Sequence, residues 1–129
     1  MSSQRIDLRG LARVPLQALL IGASAGGVEA LLSLLEDLPP DYRLPVVCLL
    51  HQPDRSDSLL ADLLQRRLKL PAKEAEDKEP IEGGVIYFAP SDYHMLVEPD
   101  RTISLSLDPL VHYSRPSIDV LFDSAADAY

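Results

Sequence analysis

A serine held between glycines constrains this chain more than any other feature. Gly22-Ala23-Ser24-Ala25-Gly26-Gly27 follows the mainly apolar run Leu16 to Ile21 and precedes Val28-Glu29-Ala30-Leu31-Leu32, so Ser24 falls at the corner between a strand and a helix. Small residues let the backbone turn sharply there and leave a hydroxyl exposed, while the N–H groups that open a helix point at whatever lies beside it. That geometry suits a nucleophile attacking a carbonyl carbon. The next apolar run, Pro45-Val46-Val47-Cys48-Leu49-Leu50, reads as a buried parallel strand and ends on His51. One strand-helix-strand unit separates the two polar residues. A right-handed crossover lays such strands side by side, roughly 4.8 Å apart, with both carboxyl ends on one edge of the sheet. The spacing predicts a Ser24 and His51 pair in which the imidazole takes the hydroxyl proton and returns it to the leaving group.

Composition narrows the possible partners. Of 129 residues, 47% are hydrophobic, enough for one modest domain with a core. Lys and Arg number 12 against 20 Asp and Glu, a net charge of −8 without any basic patch, which disfavours nucleic acid and anionic membrane surfaces as partners. The lone Cys48 lies within a strand and has no internal partner, so it reads as a small buried hydrophobe in a reducing compartment. Residues 1–14 carry Arg5, Asp7, Arg9 and Arg13 and no apolar core of signal-peptide length, and read as a flexible leader ahead of a domain over 15–129. No apolar stretch approaches the roughly 20 residues that cross a bilayer, so a cytoplasmic protein without membrane insertion is expected.

The remaining elements follow from periodicity. Val28 to Leu38 spaces its leucines as a helix and stops at Pro39-Pro40, and Asp54 to Leu68 repeats the pattern with Leu59, Leu60, Leu63, Leu64 and Leu68. The charge run Lys73 to Glu79 reads as a solvated edge or loop without chemistry. Gly83-Gly84 introduces a strand, Val85 to Ala89, and two arms around Glu98-Pro99-Asp100-Arg101 read as a hairpin added antiparallel to the sheet. Pro116-Ser117 then opens a helix with Ile118, Leu121, Phe122 and Ala125 on its apolar face. These elements predict an α/β fold: a doubly wound, mainly parallel sheet with an antiparallel hairpin, in a Rossmann-like three-layer arrangement. Three parallel strands and a hairpin make a thin sheet, so the domain is expected to be partial, incomplete at its C-terminus.

Four signatures in order carry a resemblance. Ile21 to Gly27, His51-Gln52-Pro53, Ala89-Pro90 with His94, and Arg115-Pro116-Ser117-Ile118-Asp119-Val120-Leu121-Phe122 together resemble the catalytic domain of the chemotaxis receptor protein-glutamate methylesterases, the CheB type, over roughly Leu16 to Tyr129. The resemblance implies an α/β serine hydrolase that removes methyl esters from glutamates on the cytoplasmic helices of chemoreceptors and deamidates some glutamines, with no cofactor and no metal. It implies Ser24 as nucleophile and His51 as general base, the roles that spacing assigns them. Backbone N–H groups at Ala25 and Gly26 are the expected oxyanion donors, and in the family a later segment supplies another. The family's histidine-orienting aspartate lies in a downstream Gly-Met-Gly-x-Asp-Gly-like motif, which does not occur before Tyr129, so the triad is expected to be incomplete, with Asp92 as the acid to test in its place. The roughly 15 residues before the first strand carry no receiver-like pattern, so regulation by a receiver domain in cis is not expected from this sequence. Arg115-Pro116-Ser117 is read structurally as a helix start, and by resemblance as part of the wall near the substrate groove.

Other readings compete with this one. A dinucleotide loop fails on detail, because Ser24 stands where the middle glycine belongs and the second strand ends on His51 rather than on an acidic ribose ligand. His51, His94 and His112 lack the spacing of a metal site. The alternative function is a catalytically impaired remnant that serves as a receptor-binding or interaction module.

Overall fold

The computed structural model describes residues 17–24, 27–51, 64–90, 93–107 and 116–129, with Ser24, Val28 and His51 described by their backbone alone. Four strands, β1 (Leu19–Ser24), β2 (Val46–His51), β3 (Ala72–Glu74) and β4 (Ile86–Phe88), form one parallel sheet in the order β1-β2-β4-β3. Two more, β5 (His94–Val97) and β6 (Ile103–Ser106), pair antiparallel in a sheet of their own. Helix α1 covers Val28–Glu36 and helix α2 covers Ile118–Ala128.

Alternation along β2 explains the layers. Val46, Cys48 and Leu50 join a core with Leu31, Leu32 and Leu35 of α1, together with Ile86 and Phe88 of β4. Val47 and Leu49 point the other way, into a second core with Tyr87, Met95, Val97, Ile103 and the α2 residues Leu121 and Ala125. A central strand buried on both faces has no polar alternation, which is why it reads as one apolar run. Each fully buried leucine here adds about 1.5–3 kcal/mol relative to an exposed one. The α/β, mainly parallel, three-layer expectation therefore matches the structure.

Three details differ from the sequence reading. Lys73 and Glu74, read as part of a solvated edge or loop, belong to a regular strand, β3, at the edge of the sheet, with Tyr87 and Phe88 of β4 as partners. Three residues of which two are charged carry no strand pattern, and the ladder alone makes them one. The hairpin does not extend the parallel sheet but packs on its second face, because Met95, Val97 and Ile103 must bury against the core there. Phe122 is 41% exposed, since the buried stripe of α2 is Leu121 and Ala125. Residues 1–16, the stretch 52–63 of the supposed second helix, Asp92, His112, Ser114 and Arg115 lie outside the described residues. The part of that helix within them includes Leu64 and Leu68, both buried in the first core.

The sheet has two unlike edges, and several contacts orient everything else against them. At the amino edge Leu19 N–H donates to Pro45 O (2.9 Å), Val46 N–H to Val85 O (3.0 Å) and Gly84 N–H to Leu44 O (3.0 Å). The hairpin turn lies at this edge too. Arg101 bonds Gln17 Oε1, lies with its guanidinium 4.8 Å from the centre of the Tyr129 ring, and its carbonyl accepts from Ile81 N–H at 3.0 Å. The turn itself is a type I turn with Pro99 at its first corner, closed by Arg101 N–H to Glu98 O (2.8 Å), with Arg101 in the left-handed region at φ 62°. From that turn β6 runs toward the carboxyl edge beside residues 77–81, with Lys78 N–H bonded to Ile103 O (2.7 Å) and Leu105 N–H to Asp77 Oδ1 (2.9 Å). The open end of the hairpin consequently sits at the carboxyl edge.

Candidate active site

β1 and β2 pair in register from Leu19 with Val46 to the final pair, Ser24 with His51. The two residues are thus Cα partners at the carboxyl edge, on adjacent parallel strands whose spacing is about 4.8 Å. The register leaves no freedom in this: a slip of one residue would turn every β2 side chain onto the opposite core. β1 extends through Gly22 and Ala23 to Ser24 itself, three residues further than its apolar run, so the serine closes the strand and the corner follows it.

Helices approach the same edge. Gly27 occupies the N-cap of α1 at φ −96°, with no side chain to cap the helix. α2 begins at Ser117, a buried residue whose hydroxyl accepts from Val120 N–H at 3.5 Å. Ile118 lies so close over Gly22 that a Cβ at position 22 would come within 3.0 Å of its Cδ1. A side chain there would require Ile118 to give by a few tenths of an ångström. The starts of both helices, which carry partial positive charge, are therefore near the end of β1. Ala25 and Gly26 lie outside the described residues.

The other groups with chemical potential lie elsewhere. Cys48 is fully buried in β2, and burial pushes its thiol well above the usual range, so it stays a neutral thiol. His94 is 1% exposed within the hairpin layer. Among the described residues no three His, Cys, Asp or Glu side chains converge as a metal site would need. An apolar groove lined by Gln17, Ala18, Leu20, Phe122, Ala125, Ala126 and Tyr129 lies at the amino edge, away from Ser24 and His51. None of the described helices is long and apolar enough to cross a membrane.

The sequence profile of CheB methylesterase matches residues 19–129. This chain belongs to that family. It is 43% identical over 113 residues to the putative protein-glutamate methylesterase/protein-glutamine glutaminase of Leptospira interrogans, a match over 88% of this chain and 58% of that protein. It is 38% identical over 133 residues to protein-glutamate methylesterase/protein-glutamine glutaminase 1 of Rhodospirillum rubrum, over 99% of this chain and 34% of that protein. The crystal structure of the Thermotoga maritima CheB methylesterase catalytic domain superposes with a TM-score of 0.82 at 31% identity, covering 90% of this chain and 63% of that one. The chain thus spans less than two thirds of these relatives.

Proposed function

We propose that this chain carries the nucleophile and the general base of a protein-glutamate methylesterase that acts on the cytoplasmic helices of methylated chemoreceptors, in the cytoplasm, and also deamidates glutamine there. The observation that carries the reading is the register partnership of positions 24 and 51 at the carboxyl edge of a CheB-type sheet. In this reading Ser24 Oγ bonds to the side-chain acyl carbon while its proton passes to His51. The tetrahedral intermediate then expels the methoxy group, which takes that proton and leaves as methanol. Water attacks the acyl-serine with His51 again holding the proton, and the glutamate carboxylate and free Ser24 are released. With a carboxamide in place of the ester, ammonia is the leaving group. General acid–base transfer of this kind contributes about 10²–10⁴ in rate. The N–H groups of Ala25 and Gly26 at the α1 corner are proposed to meet the oxyanion, worth about 10²–10³ for a single donor.

The test is methanol release from methylated chemoreceptor, measured beside Ser24→Ala. Release that disappears in the variant is the expected result. Equal release by both proteins would remove Ser24 from the chemistry.

A further inference from the structure

The two outermost strands of the parallel sheet, β3 and β1, have unlike flanks. β3 carries Lys73, whose ammonium bonds Glu76 and Glu79, and such salt-bridged charge guards a flank against further pairing. β1 has no such guard. Among the described residues its one ladder partner is β2. Leu19 donates its N–H to Pro45 O on the β2 side, so by the alternation of a strand the N–H and C=O of Leu20 and Gly22 face away from β2. Apolar surface lies beside them. Leu20 and Phe122 line a groove with Gln17, Ala18 and Ala126, and Phe122 is 41% exposed. An unguarded flank next to an apolar groove is a template for one more strand.

The sequence that leads into β1 carries a matching pattern. Even positions place Ile6, Leu8, Ala12, Val14 and Leu16 in one series, and odd positions hold all four charges of the run, Arg5, Asp7, Arg9 and Arg13. A period of two sorts these onto opposite faces of a strand, whereas on a helix Ile6, Leu8 and Val14 would spread around the axis. The run also ends in the right place, because Gln17, the residue it leads to, lines the groove and is held there by Arg101. Its three arginines against one aspartate are opposite in sign to the chain's net charge of −8.

We propose that residues 6–14 of this chain occupy the open flank of β1 as an antiparallel strand, with Ile6, Leu8, Ala12 and Val14 toward the groove and the arginines on the opposite face. The leader of the sequence reading is then part of the domain. A three-residue hairpin loop over 15–17 connects the two strands, and Pro15 within it gives up no ladder bond. That loop sets Val14 opposite Ala18, Ala12 opposite Leu20 and Gly10 opposite Gly22, the position over which Ile118 already lies. Leu11, the one leucine at an odd position of the run, falls opposite Ile21, whose side chain packs on the first core. The pairing is independent of the esterase chemistry.

Amide exchange and nuclear Overhauser contacts in the full, isotopically labelled chain test it. The Leu20 and Gly22 amides should exchange at least about tenfold more slowly in the parent than in a variant combining Leu8→Ser and Val14→Ser, while Arg9→Ser with Arg13→Ser should leave that protection within about twofold. The Cys48 amide of β2 reports that each variant remains folded. Without any substitution, Hα–Hα contacts of Leu11 with Ile21 and of Arg13 with Leu19, the non-hydrogen-bonded pairs of this register, should appear. They decide the matter should the serine variant lose protection at Cys48 as well. Equal exchange in parent and serine variant, absence of those contacts, or protection that rises with protein concentration would overturn the proposal, the last by giving the flank to a second copy of the chain.

Discussion

The amino and carboxyl edges of the parallel sheet are built from opposite materials. At the amino edge backbone amides join the approaches to β1, β2 and β4, and Arg101 ties the hairpin turn to Gln17 and Tyr129. Gly83 sits in that lattice with no space at all, since a Cβ would lie 2.2 Å from Arg43 O, and Gly84 beside it takes φ 76°. The carboxyl edge presents instead the strand ends Ser24, His51, Phe88 and Glu74, with the starts of both helices near the end of β1. The difference teaches how an α/β domain divides its labour: one edge supplies rigidity, and the other is left free to meet a ligand at the strand ends.

Substitutions can break that division from either side. His51→Ala should lower methanol release by roughly 10³-fold or more, because a nucleophile without its base loses nearly the whole of the pair's contribution, while the urea midpoint stays near that of the parent. A comparable loss of stability would show that the carboxyl edge is structural as well. Gly83→Ala should act in reverse. The oxygen it strikes belongs to the backbone and cannot swing aside, so urea unfolding should report a loss of about 3 kcal/mol.

Gly22→Ala tests where the two regions meet, at the contact between the end of β1 and the start of α2. A loss of about 1 kcal/mol is expected, with Ile118→Val recovering part of it through removal of the Cδ1 atom, so the double-mutant cycle should give a coupling energy distinct from zero. Additive single effects would mean that α2 does not rest on Gly22. Tyr42→Phe should have the smallest effect. The Tyr42 hydroxyl is buried without a hydrogen-bond partner among the described residues, burial raises its pKa, and its removal should change stability by less than about 1 kcal/mol, toward a firmer amino edge.

What was legible in the sequence follows from how strongly each element depends on its own residues. β2 and α1 announce themselves because burial on both faces, or on one helical stripe, writes an unmistakable pattern: Val46 to Leu50 without a break, then Leu31, Leu32 and Leu35 at helical spacing. The hairpin is legible because Pro99 and Asp100 supply its turn, with Asp100 Oδ1 accepting from both Thr102 N–H (3.2 Å) and Thr102 Oγ1 (2.7 Å). β3 is not, since Lys73 serves two masters: its backbone joins the ladder with Tyr87, while its ammonium bonds Glu79 at 2.8 Å and Glu76 at 3.2 Å. Those partners raise the Lys73 pKa, the Glu79 hydrogen bond foremost. An edge strand that faces water with salt-bridged charges looks like a loop in one dimension.

The sequence by itself determined the candidate chemistry: a serine closing one strand, a histidine closing the next, and the ordered motifs of a CheB-type domain. His51 ends an apolar run and Ser24 follows one by three residues, and such runs are shaped by local burial, which adjacent residues record. Tertiary structure alone decided the rest. It set Ser24 and His51 at the same rung of the ladder, moved the hairpin from the sheet's side to its face, and turned Phe122 outward. Those outcomes depend on pairings between segments tens of residues apart, and the energy that selects among such pairings is the packing of two cores, which no single segment contains.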